Sequence, residues 1–383
     1  MKTTLIPFND LSKQYVSIQK HIDPVIAKTL KRGIFILGEN VELFEKEFCS
    51  FLGARFAIGV GSGTDALTLA LRALDVTNRD EVLVPANSYP SVFGILMSGV
   101  RVRLVDVLPD GTMDPKDIVR KCTPNTKAII PVHLYGNAAS IHEVCKIAKA
   151  QKQKVYVIED CAQAHGLILP HHELQTGSRD NPKQFAGTVG DIGCFSFYPT
   201  KNLGAYGDGG MIVTNNKTIT ERIRQLRMYG EVDRYKSREI SGVSRLDELQ
   251  AAVLRVKLKF LEAWTKRRRC IAKLYRDGLT SVGDVEFLHG DNIHSSVYHL
   301  FVLRTKKRDS LKKYLESRGI GVSIHYPYTI HQTQSMIHEL RYHTGDFPVS
   351  ESMAHEILSL PMYPELTDRE VKTVVTAVRS FFA

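Results

Sequence analysis

Nowhere in the 383 residues do eighteen apolar side chains stand in a row, and the opening MKTTLIPFND holds neither an apolar core nor a small-residue cleavage site. A membrane-spanning helix and a secretory leader are thus not expected, and the chain reads as cytoplasmic with no membrane partner. Six cysteines (Cys49, Cys122, Cys145, Cys161, Cys194, Cys270) never stand in the paired C-x-x-C spacing of zinc or redox sites. That predicts reduced, buried thiols and no metal. Internal repeats and low-complexity tracts are missing as well. Negative charge is in short supply, 41 Asp and Glu against 51 Lys and Arg, for a net +10. The basic residues are spread out apart from Lys266 to Arg269 and Lys306 to Arg308, both read as solvated helix or strand ends. An anionic small molecule therefore suits the surplus better than nucleic acid.

What is present is ample apolar material, 43% of the chain, enough for one large domain and a smaller partner. The residues around 56–60, 82–85, 100–107, 128–133, 155–159, 192–198 and 210–214 read as seven strands. Most are Val, Ile and Leu without polar alternation, as in a sheet covered on both faces. The fold class is therefore α/β, a mostly parallel seven-stranded sheet in a large domain followed by a small α+β C-terminal domain. The boundary is placed at 255/256, giving 1–255 with an N-terminal arm and 256–383. In the second part, 298–304 and 321–325 read as strands between helices over 269–280, 309–317 and 368–381.

Polar residues punctuate the strand ends. Phe195 to Gly210, FSFYPTKNLGAYGDGG, sets Lys201 on a turn beside four glycines at the end of an apolar strand. Among small and apolar residues a lysine loses solvation in its charged form, so its pKa falls and its amine becomes a nucleophile; an ordinary solvated loop lysine is the plain alternative. Gly61, Ser62, Gly63 and Thr64 form a strand-to-helix turn whose free N–H groups suit a phosphate, although small residues also serve tight packing. Asp160, ending VYVIED, either caps the next helix or pairs with a ring nitrogen. Such ends gather on one rim of an open α/β sheet. A lysine, a carboxylate and a phosphate turn are what pyridoxal phosphate requires.

The strings GSGTDALTLAL, EDCAQAHG, FSFYPTKNLGAYGDGG, SRLDELQAA, IHYPYTIH and LSLPMYPELT, in this order, resemble the DegT/DnrJ/EryC1/StrS family of sugar aminotransferases from about Ile6 to Phe382. The resemblance implies the aspartate aminotransferase fold and pyridoxal 5′-phosphate as cofactor. It assigns Lys201 to the Schiff base, Asp160 to the pyridine nitrogen and Gln163 to the cofactor's 3′-oxygen. Ser196, Gly63 and Thr64 fall to its phosphate, and Tyr89 to the face of its ring. His325 and Tyr326 become candidate substrate contacts. The implied reaction carries an amino group from an amino acid, glutamate being expected, to a keto-sugar on a nucleotide diphosphate. A 3-keto-6-deoxyhexose on thymidine diphosphate is the expected acceptor and a 4-keto sugar the alternative. A homodimer with composite active sites is implied too.

Two departures stand out. Where the family usually has an asparagine reaching the partner's cofactor phosphate, this chain has Val243, so the contact is either rebuilt from another group, Ser241 or Ser244, or absent. Leu169 to Gln184 replaces a short hairpin and reads as a surface loop beside the site. A sugar dehydratase of the same fold would carry histidine in place of Lys201. A non-catalytic regulatory protein is the other rival, with Val243 in its favour.

Overall fold

The computed structural model describes residues 6–170, 183–290 and 292–383, so most of the expected loop over 169–184 lies outside the described residues. In chain order the helices are α1 (Leu11–Arg32), α2 (Glu39–Leu52), α3 (Gly63–Ala73), α4 (Tyr89–Met97), α5 (Pro115–Lys121), α6 (Ile141–Lys149), α7 (Lys217–Leu226), α8 (Glu248–Leu258), α9 (Leu261–Leu279), α10 (Arg308–Ser317), α11 (Ile337–Leu340), α12 (Pro348–Glu356) and α13 (Asp368–Phe382). The strands are β1 (Phe56–Val60), β2 (Glu81–Pro85), β3 (Arg101–Val105), β4 (Thr126–Ile129), β5 (Tyr156–Asp160), β6 (Ile192–Ser196), β7 (Gly210–Thr214), β8 (Glu231–Asp233), β9 (Lys236–Ser237), β10 (Glu286–Phe287), β11 (Phe301–Arg304) and β12 (Ile357–Leu360).

The first seven strands form one sheet in the order β1-β7-β6-β5-β4-β2-β3. Pairing is parallel except where β7 runs against β1 and β6. Successive residues of each strand enter opposite cores. Leu83 packs with α2 and α6, whereas Val82 and Val84 pack with α3 and α4. This is why the strands read as unbroken apolar runs: both faces are dry, so alternation places Val and Ile on each. β4 ends earlier than the sequence pattern predicts because Pro131 has no N–H for the ladder, and only the single bridge Val132 to Asp160 continues it.

The C-terminal residues build a second core around the antiparallel sheet β10-β11-β12, with Ile271 and Tyr275 of α9, Leu311 of α10 and Val374 of α13. The strand expected over 321–325 is reduced to isolated bridges, Ile6 with Ile320 and Ser323 with Ser359. β12 instead pairs with β11 along its full length. Ile6 also joins this second core, so the N-terminal segment returns to the C-terminal part of the chain.

Candidate active site

Because β1, β2, β4, β5 and β6 run parallel, their carboxyl ends deliver the punctuating residues to one edge. A cavity of about 290 Å³ opens there, and Gly63, Thr64, Asp160, Gln163, Ser196, Lys201 and Tyr326 all line it. Ser62 of the turn and Ser88 line it too, as do Ser91, Tyr198 and Asp208, which were not singled out in the sequence. Tyr89 and His325 stand outside this lining. The Tyr89 ring is 38% exposed, packs 4.9 Å from Phe93 and lies 6.2 Å from the ring of Tyr326. The His325 ring stacks on Phe8, and its Nδ1 meets Ser359 Oγ at 3.0 Å.

The turn before α3 shows why it is small-residue rich. A Cβ on Gly63 would stand 2.6 Å from Ser196 Cβ, and one on Gly210 2.3 Å from Ser62 O, so close packing alone demands these glycines. Ser62 caps α3 by accepting from Asp65 N at 3.0 Å, and Gly63 and Thr64, the first two residues of the helix, line the cavity. Behind the turn, Ser244 Oγ accepts from Gly61 N at 2.9 Å and donates to Asp65 Oδ2 at 2.8 Å. Ser241 Oγ donates to Leu226 O and accepts from Arg72 Nη1. Both hydroxyls thus donate within their own chain. Val243 itself is 42% exposed.

Asp160 is buried at the end of β5. Its Oδ1 accepts from Ala162 N at 3.0 Å and its Oδ2 from Ser91 Oγ at 2.6 Å. Since the Ser91 proton is given to the carboxylate, the 2.7 Å contact with Ser88 Oγ is a donation from Ser88. Lys201 sits on a turn closed by its own N–H to Tyr198 O at 2.9 Å. Burial lowers its pKa to about 8, against a smaller opposing pull from Asp160. Nearby, burial together with the Lys201 charge holds His165 neutral, at about 3, and His299 well below the usual imidazole range. Lys201 is thereby the basic group of the site that titrates near neutrality.

A second group, His133, Glu159 and Cys161, gathers behind the cavity. His133 Nδ1 accepts from Ala139 N, so its Nε2 carries the proton and donates to Glu159 Oε2 at 3.0 Å. Glu159 also accepts from the N–H groups of Gly187, Val189 and Gly190. This group pins the strand connection into β6. A larger cavity of about 800 Å³, between Phe51, Ile168, Phe185 and α9, shares no residue with the one described.

The pattern of the DegT/DnrJ/EryC1/StrS aminotransferase family matches residues 16–379. The chain belongs to that family. Among curated relatives of this aminotransferase, a dTDP-3-amino-3,6-dideoxy-alpha-D-galactopyranose transaminase of Aneurinibacillus thermoaerophilus is 41% identical over 98% of this chain and 99% of its own. A dTDP-3-amino-3,4,6-trideoxy-alpha-D-glucose transaminase of Streptomyces venezuelae is 38% identical over 99% and 97%. The crystal structure of S. venezuelae DesV in complex with a ketimine intermediate superposes with a TM-score of 0.90, at 37% identity and 98% coverage of both chains. The aminotransferase thus has the fold of its family, and its enzyme class is that of a sugar aminotransferase.

Proposed function

We propose that this aminotransferase binds pyridoxal 5′-phosphate in the 290 Å³ cavity and moves an amino group from an amino acid, glutamate, to a nucleotide-diphosphate keto-sugar. The preferred acceptor is a 3-keto-6-deoxyhexose on thymidine diphosphate, whose amination would give a dTDP-3-amino sugar of the kind named for both transaminase relatives above. The observation that carries the reading is that Lys201, Asp160 and the first turn of α3 share one cavity. The residues fit the group: N–H donors with Ser196 and Thr64 for a phosphate, a buried carboxylate for a ring nitrogen, an amine for a carbonyl carbon.

When bound, the cofactor supplies an electron sink for the pair left behind as a C–H bond next to nitrogen breaks. Lys201, lining the cavity, would be the residue that holds it covalently. With the group in place, the Lys201 amine would take a proton from the substrate carbon and return it, a task suited to a pKa of about 8. Asp160, buried in the cavity wall, would hold a proton on the ring nitrogen. Gln163 would present its amide to the 3′-oxygen, while Tyr89, assigned to the ring face by the family resemblance, stands just outside the lining, 6.2 Å from the Tyr326 ring.

The same reading takes a homodimer with composite sites as the working form, in the cytoplasm, with residues 1–255 holding the cofactor and 256–383 closing the cleft. Supporting it is an exposed apolar surface beside the phosphate turn: Ile34, Phe35, Ile36, Tyr229, Ile240 and Val243. Phe35 O accepts from Glu248 N, and Ser244 binds Gly61, so these segments adjoin the site. The direct test is borohydride reduction of the protein loaded with pyridoxal phosphate, followed by peptide mapping. Label on the Lys201 peptide, absent in Lys201→Ala, is expected. Label on another lysine, or no amino transfer from glutamate to thymidine-diphosphate 3-keto sugars, would overturn the proposal.

A further inference from the structure

We infer that Tyr135 is a positioning residue, holding Gln163 with its backbone N–H and the loop that carries Tyr326 with its hydroxyl, and so fixing two walls of the cavity to each other. Tyr135 occupies the short turn Leu134–Gly136 after β4 with φ 60° and ψ 2°, a left-handed conformation that bulky residues rarely adopt. Its ring is 1% exposed. Every polar group of the residue is engaged. The N–H donates to Gln163 Oε1 at 2.6 Å, the carbonyl accepts from Leu300 N at 3.3 Å, and the hydroxyl donates to His325 O at 2.5 Å. Burial pushes the phenol pKa far up, so this hydroxyl is a fixed donor and takes no part in proton transfer.

Both ends bear on the site. Only an amide oxygen can face a backbone N–H, so the bond from Tyr135 settles the orientation of Gln163 and leaves Nε2, a donor, as the end offered to a molecule in the cavity. At the other end, His325 O belongs to the peptide leading into Tyr326, which lines the cavity. His325 is fixed besides by Phe8 and Ser359, so the hydroxyl of Tyr135 is the bond joining this loop to the β4 turn. Gly136, next in the chain, has room for no side chain: a Cβ would meet Val297 Cγ2 at 2.9 Å and Tyr298 N at 3.0 Å. The turn therefore cannot shift independently of the second core.

This inference rests on the function proposed above. Tyr135→Phe deletes the hydroxyl and keeps the N–H on Gln163, so it separates the two ends. We expect the KM for a thymidine-diphosphate keto-sugar to rise about tenfold, with kcat within about twofold and the absorption band of bound cofactor unchanged. In the cofactor-free protein, amide exchange over 323–328 should quicken about tenfold. Tyr135→Met, which also fills the site without a hydroxyl, should behave alike. In a Tyr326→Ala background Tyr135→Phe should add nothing to KM, because its effect passes through that loop. An unchanged KM, an additive pair or unchanged exchange would overturn the inference. If the unaltered protein turned over no keto-sugar, the proposed function would fail, while the exchange measurement would still decide whether Tyr135 holds the loop.

Discussion

A lysine of ordinary pKa would be almost wholly charged at neutral pH; burial brings Lys201 down to about 8. The protonated amine cannot attack a carbonyl, so capture of pyridoxal phosphate by the cofactor-free protein should quicken as pH rises through about 8 and level off above 9. Stopped-flow absorbance reads this directly. A rate still climbing toward pH 10.5 would show Lys201 to be solvated. Asp160→Asn keeps an acceptor for Ser91 or for Ala162 N but loses the charge that holds a ring proton. Turnover should fall about a hundredfold, roughly 2.7 kcal/mol of barrier, with cofactor still bound. Undiminished turnover would remove Asp160 from that role. Both residues were legible in the sequence because each ends an apolar strand. Ser91 was not: within YPSVFG it reads as one more small helix residue, and only the pairing of β2, β4 and β5 brings it to Asp160.

Helix α2 shows how elements borrow from one another. Its N-cap is Gly38, which offers no side chain to the first-turn N–H groups. Glu248, at the start of α8, supplies a carboxylate that accepts from Asn40 N at 3.0 Å, Asn40 Nδ2 at 3.0 Å and Val41 N at 2.8 Å. Position 248 is 2% exposed, so alanine there would strand those donors without water. Glu248→Ala is expected to lower unfolding free energy by about 2–3 kcal/mol, and glutamine to recover part of it. Urea denaturation followed by circular dichroism checks this, and an unchanged midpoint would contradict it. The sequence displayed the apolar stripe of α2 and its closing Gly53, which has φ 70°. It could not display a cap more than two hundred residues away.

Over the whole molecule, the buried histidines set the response to acid. Burial holds His165 and His289 at about 3 and His299 well below its usual value. Between their folded values and about 6.5 the unfolded chain binds more protons than the native one, so unfolding free energy rises with pH across that window. Stability is complete above about pH 6.5 and is lost as pH falls, by up to ~1.4 kcal/mol per unit for each group. Melting temperatures taken from pH 7.5 to 4.5 should decline steadily. A flat profile would mean that these imidazoles are charged or solvated in the folded state.

The sequence by itself determined the class of fold and the chemical core of the site, because unbroken Val, Ile and Leu runs require a sheet with two covered faces, and strand ends are where such a sheet leaves polar groups free. Lys201, Asp160, Gly63 and Thr64 were visible in this way and Gln163 and Ser196 through the family resemblance, and all six reach the cavity. Tertiary structure alone decided what depends on partners far apart in the chain. Among these are the donors on Asp160, the bracing of the turn before α3 by Ser244, the pairing of β12 in place of residues 321–325, and the bond from Tyr135 to the loop of Tyr326. The reason is physical. Apolar period is a property of neighbouring residues, whereas a hydrogen bond across the fold depends on distances that exist only once the layers have packed.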